Sequence, residues 1–307
     1  MSAVAATIAE SPRQRLLGIA WMVTSTLCFV AVTGIVRYLG SDLPAAQAAF
    51  IRYLFGCFIM APAILALWRA PPSAGLTWAF ALRGLAHTFG VALWFYAMAR
   101  IPIAEVTAIG YLTPIIVTIG AALFLRERLR VRRILGVLVG FLGAFVILRP
   151  GFQELSLGQI AQLGAAPLFA VSYLMTKMFT GRADSQTIVT MLTIFATLFL
   201  LPLAMLDWQT PTLIECAWLF GTAIFATFGH FAMTKALAAA PIAVTQPVTF
   251  LQLVWASALG VVAFGEPIDP WVILGGTIIV GAASYIAWRE AQTRGVPVTP
   301  PSNAAKL

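Results

Sequence analysis

Residues 97–143 read AMARIPIAEVTAIGYLTPIIVTIGAALFLRERLRVRRILGVLVGFLG: an apolar run, a short charged loop and a second apolar run. Sliding the chain 139 residues along itself brings the same design back between Ala236 and Ala282, with no gap. Pro102, Ile103, Ala104, Glu127 and Gly136 then fall on Pro241, Ile242, Ala243, Glu266 and Gly275. Chance similarity between two membrane segments would match apolar letters. Matched prolines and glutamates on either side of an apolar span point instead to a duplicated unit.

Working outward, the chain of 307 residues is 61% hydrophobic and only 10% charged, with a mean hydropathy of +0.93. A soluble chain carries about 25% charged residues, so this composition excludes a soluble globular domain. The expected fold is an all-α polytopic membrane protein. The net charge of +8 invites a nucleic-acid reading, but the basic residues sit in short loops between apolar runs, where they set topology. No nucleic-acid partner is expected; the bilayer and a small-molecule substrate are. Cys28, Cys57 and Cys216 lie in apolar segments without a CxxC spacing, so neither a disulfide framework nor a metal site is predicted, and no cofactor is implied. The absence of HExxH, P-loop and GxSxG patterns argues against an enzyme.

A span needs about 20 apolar residues. Ten are predicted: 16–36, 46–68, 76–98, 103–125, 132–148, 157–179, 186–206, 213–237, 243–265 and 270–288. They divide the chain into an N-terminal tail (1–15), a first five-helix repeat (16–149), a second (157–288) and a C-terminal tail (289–307). The first span is too long for a signal-peptide core and is expected to stay attached. With the N-terminus cytoplasmic, 15 Lys and Arg fall inside and 4 outside (Arg37, Arg52, Arg100, Arg149), which satisfies the positive-inside rule. Both termini are then cytoplasmic, and an odd number of spans per repeat makes the two halves inverted copies.

Two five-span halves, a Pro-Ile-Ala start to spans four and nine, and glutamates at Leu125-Arg-Glu127-Arg-Leu129 and Gly265-Glu266-Pro-Ile268 resemble the EamA-type drug/metabolite transporter superfamily. The segments Leu82-Arg-Gly84, Trp94-Phe-Tyr-Ala97 and Ile147-Leu-Arg-Pro-Gly151 are similar to the branch containing riboflavin and S-adenosylmethionine permeases. The resemblance implies a ten-helix inner-membrane carrier with a central cavity lined by spans one, three, four, six, eight and nine. It also implies a nitrogenous cofactor-type substrate, with amino-acid or drug export as the rival and a lipid-linked flippase as a different class. Substrate identity, direction, coupling ion and the choice between monomer and homodimer stay open.

Spacing nominates the site. Thr107, Tyr111, Pro114 and Thr118 share one helical face, repeated as Gln246, Phe250, Leu253 and Ser257. Such a stripe either faces a wet cavity or forms a helix–helix seam. Arg83, His87, Gly90 and Trp94 share a face of span three; an intramembrane His is a functional residue by default, and Trp94 offers a stacking surface. Trp21 with Ser25 and Cys28, and Gln159, Gln162 and Tyr173, form further faces. The expected substrate-binding residues are Trp21, His87, Trp94, Tyr111, Tyr173, Gln246 and Gln252. Arg52, Arg83 and Glu105 are candidates for a gate or for coupling, and a structural Arg–Glu pair is the alternative. His230 stands as a weaker cavity candidate; Glu127 and Glu266 read as structural. All eleven acidic residues fall in tails, loops or span ends, which argues against obligatory coupling through an intramembrane carboxylate.

Overall fold

The computed structural model describes residues 12–113, 115–117, 131–149, 154–240, 245 and 248–294. Among them every regular element is a helix. In chain order these are α1 (Pro12–Leu39), α2 (Ala45–Ile59), α3 (Ala61–Arg69), α4 (Ala74–Met98), α5 (Ile103–Gly110), α6 (Val131–Leu148), α7 (Leu157–Phe179), α8 (Ser185–Met205), α9 (Leu213–Ala239), α10 (Leu251–Phe264) and α11 (Pro270–Arg294). Helices α1, α7, α8 and α9 are each long and apolar enough to cross a membrane, and the bent pair α2–α3 makes a fifth if its two helices cross as one span.

Local chemistry sets the helix starts. Ser156 and Thr212 open α7 and α9 with capping boxes closed by Gln159 and Glu215, and the Asp184 carboxylate caps α8 through Thr187 N. Each satisfies amides that would otherwise lack partners. The second predicted span, 46–68, is not straight: α2 and α3 meet at 67°, next to Pro62, which has no N–H to continue the ladder. Pro202 lies inside the unbroken α8, so proline permits the bend without alone fixing it.

The helix packing carries an internal symmetry. The repeat relates α1 to α7, α2–α3 to α8, α4 to α9, α5 to α10 and α6 to α11. The seams α1–α9 and α4–α7 are exchanged by that relation, as are α2–α9 and α4–α8. The seams α2–α8, α5–α10 and α6–α11 map onto themselves. A two-fold pseudo-axis produces this pattern. Close approach at α6–α11 requires glycine: a Cβ on Gly143 would stand 2.7 Å from the Gly275 carbonyl oxygen. Small residues are how helices pack where lipid removes the hydrophobic driving force. Large apolar side chains such as Trp68, Trp78, Leu213 and Val262 point outward, a surface suited to lipid.

The pseudo-axis passes near Tyr111 and Phe250, which coincide under the 139-residue shift and whose rings lie 5.1 Å apart. Regular helix is interrupted at both positions. Tyr111 Oη accepts from Leu253 N at 2.8 Å and lies within donating distance of the Thr249 and Phe250 carbonyl oxygens, at 3.2 and 3.1 Å. It is thus inserted into the bond that Leu253 N would make to Thr249 in a continuous helix, a recognised cause of helix breaks.

Candidate functional site

A cavity of about 220 Å³ opens beside this pair of breaks, walled by α1, α2, α4, α5, α7, α9 and the start of α10. Seven of the nominated residues converge on it: Arg52, Arg83, His87, Trp94, Tyr111, Tyr173 and Gln252, together with Thr107, Gln162 and His230. Gln246, Pro114, Thr118 and Glu127 lie outside the described residues. Trp21 is not a wall residue; it packs edge-on to Phe228 and Phe231 on the α1–α9 seam. Ser25 donates across that same seam to the Gly229 carbonyl.

The charged part of the wall is a connected network. The Arg52 guanidinium lies 3.7 Å above the Tyr53 ring. Tyr53 Oη and His87 Nε2 are 2.6 Å apart, and His87 Nδ1 is 3.2 Å from Ser172 Oγ. Arg83 Nε donates to the same hydroxyl at 3.4 Å and Nη1 donates to the Ile188 carbonyl at 3.0 Å. The network therefore ties α2 and α4 of the first half to α7 and α8 of the second. Arg83 is 1% and Arg52 3% exposed. A layer of rings completes the site: Phe29 and His230 at 5.0 Å, His87 and His230 at 5.3 Å, His87 and Phe169 at 5.3 Å, Trp94 and Phe169 at 5.9 Å.

Phe29, Tyr53, Phe169 and Ser172 were not nominated by sequence, since apolar rings and lone hydroxyls in apolar helices carry no polar signature. A signal existed. Shifting α1 by 140 residues matches Leu17-Gly18 with Leu157-Gly158, Phe29 with Phe169 and Arg37 with Lys177, and both phenylalanines line the cavity. The α10 stripe behaves differently from its α5 counterpart: Phe250 and Leu253 are buried against Tyr111 as a seam, while Thr249 and Gln252 face the cavity.

The end of the molecule holding the α5 N-terminus is tied by polar contacts. Gly265, at φ 62°, ends α10 in the left-handed conformation and returns Glu266 N to the Gly260 carbonyl at 3.0 Å, as in a Schellman motif. The Glu266 carboxylate then accepts from Ile103 N and pairs with Arg37, both at 2.9 Å, and Arg37 donates on to the Ala99 carbonyl. Arg149 and Asp269 pair at 2.7 Å. Glu105 accepts from Gln159 Nε2 and forms no ion pair with Arg52 or Arg100; Arg100 stacks on Tyr96 instead. At the other end Lys177 donates to the Leu237 carbonyl, mirroring the bond from Arg37 to Ala99.

Fold and site together define a multi-pass membrane protein made of two related halves around a largely apolar cavity with buried polar and charged groups in its wall. The chain belongs to the EamA-like transporter family, whose model matches residues 16–149 and again 156–288. It is 30% identical over 287 residues to a riboflavin transporter of Vibrio cholerae, covering 91% of this chain and 96% of that one. It is 27% identical to an S-adenosylmethionine uptake transporter of Rickettsia bellii (89% and 94% covered) and 27% identical to a pseudopaline exporter of Pseudomonas aeruginosa (86% and 94%). A crystal structure 18% identical in sequence superposes with a TM-score of 0.61, covering 92% of this chain and 98% of that one; it shares the fold.

Proposed function

We propose that the protein is a secondary transporter of the cytoplasmic (inner) membrane that carries a small nitrogenous metabolite by alternating access. In this reading ten spans form two inverted five-helix halves, with both termini cytoplasmic. The observation that carries it is the position of the cavity: it lies on the pseudo-axis, at paired helix breaks, with walls drawn from both halves. Inverted repeats meeting at a midplane site, with interrupted helices there, are how many secondary carriers expose one site to either face in turn. The contacts of Glu266 with Arg37 and Ile103 close the periplasmic end in this conformation, and rocking the halves breaks them.

The ring layer suits a flat solute, and two of the relatives named above are transporters of riboflavin and S-adenosylmethionine. Riboflavin-class metabolites are therefore the first substrates to try. Amino-acid-derived solutes moving outward are the second reading, favoured by the relative named as an exporter. The test is counterflow in proteoliposomes. Internal unlabelled riboflavin, S-adenosylmethionine or an aromatic amino acid should drive accumulation of its labelled form, and Trp94→Ala should weaken it by raising the KM about tenfold. Failure of every small solute alongside flip of a fluorescent lipid would replace the carrier with a flippase.

A further inference from the structure

We infer that the solute received by this cavity is an organic anion, a ring-bearing carboxylate or phosphate monoester held by Arg52. The inference rests on the carrier reading above and adds the charge of the substrate. Arg52 lines the cavity and is buried, yet no described residue accepts a hydrogen bond from it or pairs with it. Its Nε has no acceptor, and its one close partner is the face of Tyr53. The second guanidinium, Arg83, is satisfied only by neutral oxygens of Ser172 and Ile188.

No carboxylate among the described residues lines the cavity. Glu105 is turned to Gln159, and Glu266 and Asp269 are engaged with Arg37 and Arg149 at one end of the molecule. Two fixed positive charges thus stand in a membrane-embedded wall without a counter-charge. A buried charge is tolerated when a partner of opposite sign reaches it, and intramembrane cations mark the path of what is carried. The planar guanidinium fork matches carboxylate and phosphate oxygens. Phe29, Trp94 and Phe169 line the same cavity as Arg52 and offer rings to the flat body of such a molecule. A cationic solute would meet two like charges here.

The test compares rings that differ only in charge: nicotinate with nicotinamide, indole-3-acetate with indole-3-acetamide, and riboflavin 5′-phosphate with riboflavin. Each is titrated against the purified full-length protein in detergent, with melting temperature as the readout, since a ligand of the folded state raises it. The acid of at least one pair should bind at least tenfold more tightly than its neutral partner. Arg52→Gln should erase that preference and Arg52→Lys should keep part of it. A second readout needs no ligand: Arg52→Gln should raise the melting temperature of the empty protein, because it removes an unpaired buried charge.

Neutral partners binding as tightly as the acids would overturn the inference, as would a lowered melting temperature of empty Arg52→Gln. Protection by dihexanoylphosphatidate but by no soluble acid would put the charge on a lipid and overturn it too. Counterflow of riboflavin unchanged by Arg52→Gln would sink the anion and leave the carrier standing.

Discussion

The two halves share a scaffold but not a chemistry. Elements that recur are architectural: Phe29 with Phe169, Trp94 with Met233 at equivalent cavity positions, the breaks at Tyr111 and Phe250, and the terminal bonds of Arg37 and Lys177 to helix-end carbonyls. The charges do not recur. Under the 139-residue shift Arg83 and His87 fall on Thr222 and Ala226. Aligning Pro62 with Pro202 and Trp68 with Trp208 puts Leu192 opposite Arg52. The second-half wall holds no arginine or lysine; its polar members are Gln162, Ser172, Tyr173, Thr176, His230, Thr249 and Gln252. Duplication supplies a symmetric cradle, and both buried arginines of the cavity wall stand in its first half.

The sharpest way to break this comparison is to give the second half the charge of the first. Leu192 is fully buried in α8, so Leu192→Arg should cost about 3 kcal/mol or more and abolish the monodisperse peak in size-exclusion chromatography. A folded variant would mean that α8 tolerates charge and that the asymmetry is incidental. Next in size is Arg83→Ala, which removes the side-chain bonds from α4 to Ser172 of α7 and to the Ile188 carbonyl of α8. It should cost about 2 kcal/mol, lower the melting temperature and stop counterflow, with Arg83→Lys intermediate.

A smaller effect separates the symmetric pair Trp94 and Met233. Trp94→Ala should raise the KM of transport about tenfold, or about 1.4 kcal/mol, through the lost ring face. Met233→Ala should change it by less than threefold. Equal effects would show that both halves contact the solute alike. The smallest change in stability is expected from Tyr111→Phe, which makes the residue match its mate Phe250. Leu253 N and the Thr249 carbonyl can then pair with each other, so the melting temperature should shift by the equivalent of about 1 kcal/mol or less. The exchange rate should change severalfold, because the wedge that holds α10 open is gone.

Much of the helical architecture was legible because it is written in features that survive as letters: apolar runs of membrane length, prolines at their ends, and a repeat with matched glutamates. The 67° bend was not, since Pro62 and Pro202 look alike in sequence and the chain breaks at only one of them. For the cavity, an ionisable or aromatic residue inside a span announced His87, Trp94, Tyr111 and the two arginines, all of which the structure brings to one cavity. Spacing fixes which residues share a face but not where that face points. Trp21 therefore packs on a seam while Phe29, two turns along the same helix, lines the cavity. Glu105 shows the same limit: its neighbour in sequence, Arg100, stacks on Tyr96, and its partner is Gln159 from the other half.

The most direct measurement is side-specific accessibility of the cavity. In a chain freed of Cys28, Cys57 and Cys216, Thr107→Cys places a thiol on the cavity wall. A membrane-impermeant maleimide is applied to right-side-out and to inside-out vesicles, before and after a short bifunctional thiol reagent joins cysteines placed at positions 37 and 266. The account predicts labelling from both faces in the unlinked protein, and from the cytoplasmic face alone once that end is tied shut. Labelling from a single face in the unlinked protein, or labelling from both faces that persists after linking, would contradict a cavity exposed in turn by two rocking halves.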